Sequence, residues 1–100
     1  MEIFWTQEAI EDRSKIYDYL EEKNPPAAIA IDDLFSERAA LLIDHPESGR
    51  VGRVPGTQEA VVHENYMMVY DIVGDQVRVL NVVHTARQWP PSNAGDTNSS

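Results

Sequence analysis

The residues best suited to chemistry lie in the second half of the chain. His84 carries an imidazole, the side-chain group best suited to proton transfer at neutral pH. Three arginines, Arg50, Arg53 and Arg87, could gather at one edge of the domain and hold a phosphate. A single guanidinium group can donate two parallel hydrogen bonds to phosphate oxygens. Trp89 could stack on an exposed base. Together these residues could bind a nucleic-acid phosphate and move a proton beside it.

The same residues have alternative, purely structural roles. His84 could be the last residue of a strand, with its ring donating a hydrogen bond to a backbone carbonyl group. Arg50 and Arg53 could pair with neighbouring acids such as Glu47 or Glu37. The residue types alone therefore leave both interpretations open.

The other aromatic and imidazole side chains are expected to be structural. Trp5 is expected in the core, and Trp89 could dock against the sheet edge instead of stacking on a base. His63 lies beside a turn and is expected to be solvated. His45 precedes a proline and is expected in a loop.

Composition excludes several other kinds of site. The 100 residues contain no cysteine, and the three histidines form no HxxxH pair, so we expect neither a metal nor another cofactor. The net charge of −9 argues against non-specific nucleic-acid binding. The acidity belongs to residues 1–47, whose net charge is −8, whereas residues 50–89 are neutral. No stretch resembles a membrane span or a signal peptide, so a cytoplasmic location is expected.

The elements that must position these side chains follow from periodicity and turn signals. A first strand is predicted at 1–6 and two helices at 7–23 and about 26–43, joined by Asn24-Pro25-Pro26 as an antiparallel hairpin. A long loop covers 44–58. Three strands are then predicted, at 59–63, 66–73 and 76–84. The chain is therefore predicted to be one α+β domain, residues 1–91, with a disordered polar tail at 92–100.

Two two-residue turns predict which side chains share a face of the sheet. With Gly74-Asp75 and Glu64-Asn65 as turns, Asp71 should pair with Arg78 across the strands. The face expected to lie under the helices carries Val61, Tyr66, Met68, Tyr70, Ile72, Val77, Val79 and Val83. The opposite face, expected to be open to a ligand or partner, carries Gln58, Ala60, Val62, Met67, Val69, Asp71, Arg78, Leu80, Val82 and His84.

Four sequence words, in this order and spacing, carry a family resemblance. They are Ala27-Ala28 after Asn-Pro-Pro, HPESGRVGRVPGT, NYMMVYDIVGDQVRVLNVVH and HTARQWP, the last at residues 84–90. With them, about residues 1–90 resemble the RelE/ParE superfamily of bacterial type II toxins, on the branch called RelE/StbE or plasmid stabilisation proteins. The resemblance implies two helices against an antiparallel sheet, and inhibition by a small antitoxin encoded beside the toxin.

The resemblance implies two activities. RelE-like members cut mRNA on the ribosome by activating a ribose 2′-hydroxyl, using an acid or base and arginines that stabilise the developing charge. On this chain, His84 and Arg87 match the catalytic positions, while Arg50, Arg53 and Trp89 match substrate-binding ones. ParE-like members instead bind and poison DNA gyrase without cutting nucleic acid.

The sequence does not match the nuclease pattern throughout. Catalytic relatives often carry an arginine where this chain has Met67, and the branch commonly carries one in place of Gln58. The motif formed by His84, Arg87 and Trp89 favours an mRNA-cleaving endoribonuclease, which is the activity expected first for this chain. The alternatives are a gyrase inhibitor and a degenerate, non-toxic member, both favoured by the low basicity and the missing arginines.

Overall fold

The computed structural model describes residues 1–85, and their elements agree closely with the sequence prediction. In chain order the elements are β1 (Glu2–Trp5), α1 (Gln7–Lys23), α2 (Pro25–Asp44), β2 (Arg50–Val51), β3 (Gln58–His63), β4 (Tyr66–Val73) and β5 (Gln76–His84). The short strand β2 lies inside the predicted long loop. The predicted tail at 92–100 lies outside the described residues.

Capping residues define the ends of the helical hairpin. Thr6 caps α1, since its side-chain oxygen accepts the Ala9 backbone N–H at 3.2 Å. Asn24 ends α1 and also begins α2, where its side chain accepts the Ala27 N–H. Pro25 then occupies the first turn of α2, where a missing N–H costs nothing. The predicted Asn-Pro-Pro joint is therefore confirmed.

The five strands form one mixed sheet with the spatial order β1-β5-β4-β3-β2. Strands β2 to β5 pair antiparallel, and β1 pairs parallel with β5, so that Glu2 lies opposite Gln76 and Trp5 opposite Val79. The first strand is thus a sheet edge added through the hairpin crossover. No helix within residues 1–85 has the length and apolarity to cross a membrane.

The core lies between the helical hairpin and one face of the sheet. Its buried members are Ala9, Ile31, Phe35, Ala39, Leu42, Ala60, Tyr66, Met68, Tyr70, Val77, Val79 and Val82. Alternate residues of β4 therefore face the helices, as predicted, and the rings of Phe35 and Tyr66 meet edge to face with centroids 6.0 Å apart.

A β-bulge in β5 changes the predicted register. Counted from the Gly74-Asp75 turn, an unbroken hairpin would pair Tyr70 with Val79 and Val69 with Leu80. The first pair is observed, but Val69 pairs with Asn81. Beyond the bulge every side chain changes face, because the side-chain period along a strand is two residues. Val82 therefore lies in the core, and His84 faces the helix side opposite Tyr66. The predictions that Val83 is a core residue and that His84 lies on the open face are wrong.

A second bulge in β3 changes the other end of the sheet. Val61 pairs with Met67 and His63 with Tyr66, which leaves Val62 as the extra residue. Ala60 and Gln58 therefore face the helices beside Met68 and Tyr70, and Val61 lies on the open face. The predicted faces of these residues were wrong for this reason. Glu59 now lies on the open face, where it can pair with a cation.

Candidate functional site

Three aromatic rings form a row across the end of the sheet that holds the β3–β4 turn. Tyr66 is opposite both His63 and His84 in the strand register. The ring centroid of Tyr66 lies 5.2 Å from that of His84 and 6.3 Å from that of His63. Thr85 closes this end, since its N–H donates to the Asn65 carbonyl at 2.8 Å. We call His63, Tyr66 and His84 the aromatic row.

His63 belongs to this row, although the sequence suggested only a solvated residue. Its Nδ1 accepts the Asn65 backbone N–H at 3.2 Å, which anchors the ring to the turn. The signal that could have found it is the two-residue turn itself, which places residue 63 directly opposite residue 66. The row can provide imidazole and phenol groups for hydrogen bonding or stacking.

Residues 45–57, which we call the strap, are held to the sheet by the buried Tyr70. The Tyr70 hydroxyl accepts the Gly49 N–H at 3.1 Å and lies 2.7 Å from both the Pro46 carbonyl oxygen and Gln58 Oε1, to either of which it can donate. Gly49 is required here, because an added Cβ would lie 2.6 Å from the hydroxyl and 2.8 Å from the Glu59 carbonyl oxygen.

A buried carboxylate holds the tip of the strap. The Glu59 residue is only 3% exposed, and its two oxygens accept from Arg50 Nε and from the Arg53 backbone N–H, each at 3.2 Å. Neither of the suggested acids, Glu47 and Glu37, is the observed partner. Glu59 brings the two arginine positions together at the far edge of the sheet from β5.

The open face carries a second charge pair and an exposed aromatic ring. Arg78 donates to both Asp71 oxygens, from Nε at 2.9 Å and from the terminal nitrogen at 2.6 Å, which confirms the predicted cross-strand pair. The hydrogen bonds to Asp71 raise the pKa of Arg78 above its ordinary value. Phe4, opposite Arg78 in the register, is 49% exposed.

A groove of about 440 Å³ lies on the other side, between β1 and the two helices. Its lining residues are Trp5, Ile10, Arg13, Ser14, Tyr17, Asp18 and Asp32. The guanidinium carbon of Arg13 lies 4.6 Å from the centre of the Trp5 ring, and Arg13 Nε donates to Asp32 at 3.0 Å. Arg13 therefore ties the two helices to the first strand.

The acids of the two helices are mostly exposed. Asp12 and Asp32 are the exceptions, each half-buried and each engaged in hydrogen bonds. Among residues 1–85, no three His, Asp or Glu side chains group as a metal site would require. Two of the predicted site residues, Arg87 and Trp89, lie outside the described residues.

Comparisons with known proteins agree with this α+β architecture. In sequence, the chain is 35% identical to Y4kP of Sinorhizobium fredii over 89 residues, which cover 88% of this chain and 92% of Y4kP. It is 29% identical to "Toxin RelE2" of Caulobacter vibrioides over 86 residues, covering 86% and 97%. In structure, it resembles a chain from the "Chromosomal ParDE TA system from P. aeruginosa", with a TM-score of 0.75, 22% identity and coverage of 84% and 95%.

These similarities define a toxin of the RelE/ParE superfamily, as the sequence words predict. Over residues 3–89 the chain matches the family described as "ParE toxin of type II toxin-antitoxin system, parDE", and it belongs to that family. It is therefore the toxin of a type II toxin–antitoxin system, which implies a cognate antitoxin as its partner.

The buried Tyr70 hydroxyl predicts a loss of stability at alkaline pH. Burial raises the pKa of Tyr70 above the ordinary 10.0, because the charged phenolate would lose its solvation. Since the folded chain holds this proton more tightly than the unfolded chain, its contribution is complete below about pH 10 and is lost as the pH rises through the folded pKa. Tyr70→Phe should remove this part of the pH dependence and cost about 1–3 kcal/mol at neutral pH.

The measurement is urea denaturation of both proteins between pH 7 and pH 11. Tyr19→Phe, at an exposed tyrosine, is the matched control and should leave the pH dependence unchanged. An equally steep alkaline loss in Tyr70→Phe would assign it to another group.

Proposed function

We propose that this toxin arrests growth by binding and poisoning DNA gyrase, and that it does not itself cut nucleic acid. The main support for the proposal is the distance between His84, the expected proton-transfer residue, and Arg50, one of the arginines expected to bind the substrate phosphate. His84 faces the helix side beside Tyr66, whereas Arg50 lies on the opposite face beside Glu59. The family match to ParE toxins supports the same choice.

The separation is too large for a shared phosphate. β2 is three strands away from β5, which corresponds to about 14 Å across the sheet. Across the sheet, Arg50 lies opposite Glu59, and Glu59 lies opposite Val69. Val69 in turn lies opposite Asn81 of β5, which is three residues from His84. A general acid or base must reach its proton within about 3 Å or through one water. His84 and Arg50 therefore cannot contact one phosphate group without a rearrangement of the sheet.

The charge of the toxin also suits a protein partner better than a nucleic acid. Three arginines, Arg13, Arg50 and Arg78, already form ion pairs with acids of the same chain. The net charge of −9 opposes phosphate binding in general. The open face instead offers neutralised charge pairs beside the half-exposed Phe4 and Val61, a mixture found in protein–protein interfaces.

The aromatic row favours a second candidate function, mRNA cleavage on the ribosome. This is the activity that the sequence led us to expect first. His63 and His84 flank the Tyr66 ring, so two imidazoles and a phenol lie at one end of the sheet. If this row cuts RNA, His84→Ala should lower the cleavage rate by about 10²–10⁴-fold. If the toxin acts on gyrase, the same variant should remain within about twofold of the unaltered protein, since no proton transfer is lost.

The test uses the purified toxin in two assays. We expect it to inhibit supercoiling of relaxed plasmid by gyrase and to leave mRNA intact in a cell-free translation extract. His45→Ala, at an exposed loop histidine, is the matched control for His84→Ala. Truncated mRNA together with unaffected supercoiling would overturn the proposal and favour the second candidate.

A further inference from the structure

The outer edge of β5 changes partner halfway along the strand. β1 ends at Trp5, opposite Val79, whereas β5 continues for five more residues to His84. Within the described chain, α1 follows β1 directly and its first turns lie along this remaining edge. Side chains of the helix therefore take the place that a neighbouring strand would occupy.

Two side chains bind the backbone around the bulge at this edge. The Thr6 hydroxyl lies 3.1 Å from the Val79 carbonyl oxygen and 3.0 Å from the Leu80 carbonyl oxygen. Asp12 Oδ2 accepts the Val82 backbone N–H at 2.9 Å and the Asn81 side-chain amide at 3.1 Å. The backbone of Val79, Leu80 and Val82 and the side chain of Asn81 are thus held by α1 and by its cap.

We propose that Asp12 is a positioning residue that holds the β5 bulge and thereby places His84 against Tyr66. Its carboxylate binds the Val82 N–H, so that this group points to the outer edge of β5. With the Val82 backbone in this orientation, the Val82 side chain lies in the core and the His84 side chain lies on the helix side. This role of Asp12 in assembling the aromatic row is the same whether the toxin acts on gyrase or on mRNA.

The alternative register shows what the carboxylate prevents. Without the bulge, Leu80 would pair with Val69, and Asn81 and Val83 would point toward the helices. His84 would then lie on the open face, away from Tyr66. The side-chain amide of Asn81 would lose Asp12 and would need a new partner in the core, since a buried amide without one is costly.

Asp12 differs from the other acids of α1 in a way that provides controls. Glu11 is an exposed neighbour whose described side-chain contact is with Gln7, one turn back on the same helix. Glu11→Ala therefore removes a charge from α1 without touching β5. Asp12→Asn keeps an oxygen that can accept the Val82 N–H, whereas Asp12→Ala removes the acceptor.

The experiment is NMR spectroscopy of the full chain, with no gyrase or RNA present. The ring of Tyr66 meets His84 edge to face at 5.2 Å, so ring currents should shift the His84 imidazole protons away from their free values. We expect Asp12→Ala to abolish this shift and to speed exchange of the Val82 amide by about 10- to 100-fold, the factor that one hydrogen bond to a charged group supplies. Asp12→Asn and Glu11→Ala should retain both signals.

Two results would overturn the assignment. One is an Asp12→Ala protein that retains the His84 shift and the slow Val82 amide. The other applies if Asp12→Ala does not fold: in the unaltered protein, a Val82 amide that exchanges as fast as an exposed amide would show that Asp12 does not hold it. Neither result depends on which target the toxin inhibits.

Discussion

Phe35→Ala is expected to destabilise the toxin by about 3–5 kcal/mol, the usual cost of emptying a buried aromatic site. Phe35 is fully buried in α2 and packs edge to face on Tyr66. The Arg13 guanidinium carbon also lies 5.6 Å from the centre of its ring. Since a domain of this size is stable by only about 5–15 kcal/mol, this variant should lose a large share of its free energy of unfolding.

Urea denaturation followed by circular dichroism measures this effect. Ile29→Ala is the control on the same helix: Ile29 is 55% exposed, and its loss should cost less than about 0.5 kcal/mol. If both variants were equally stable, α2 would not pack on the sheet through the Phe35 face.

The helices and long strands could be predicted from the sequence because local signals define them. Thr6 and Asn24 are strong capping residues, and Pro25 begins a helix readily. The Gly74-Asp75 turn, with Gly74 at φ 61°, determines the first pairs of β4 and β5. Each of these features depends on residues that are close together in the chain.

The two bulges could not be read from turn signals, because they resolve conflicts that appear only when the sheet packs. An unbroken β5 would point Asn81 at the helices, and an unbroken β3 would place Glu59 beside Tyr70 in the core. One extra residue in each strand moves these polar groups out and brings Val82 and Ala60 in. A predicted strand that points an Asn or Glu side chain into the core is therefore a sequence signal for a β-bulge.

The sequence points to individual candidate residues but not to their arrangement. His84 does end the last strand, and Arg50 and Arg53 do both lie on the strap. Their separation follows from the strand order and from Glu59, which depend on contacts between distant parts of the chain. The same is true of Asp12, which the sequence presents only as one of several helix acids.

Gyrase poisoning can be measured most directly as DNA trapped in a broken state. Purified toxin is incubated with gyrase, ATP and supercoiled plasmid, and the reaction is stopped with detergent and protease. We expect linear DNA to rise with toxin concentration. We also expect His84→Ala to act within about twofold of the unaltered protein, because no proton transfer is involved. No increase in linear DNA and no change in supercoiling, together with mRNA that is cut by the toxin but not by His84→Ala, would contradict gyrase poisoning.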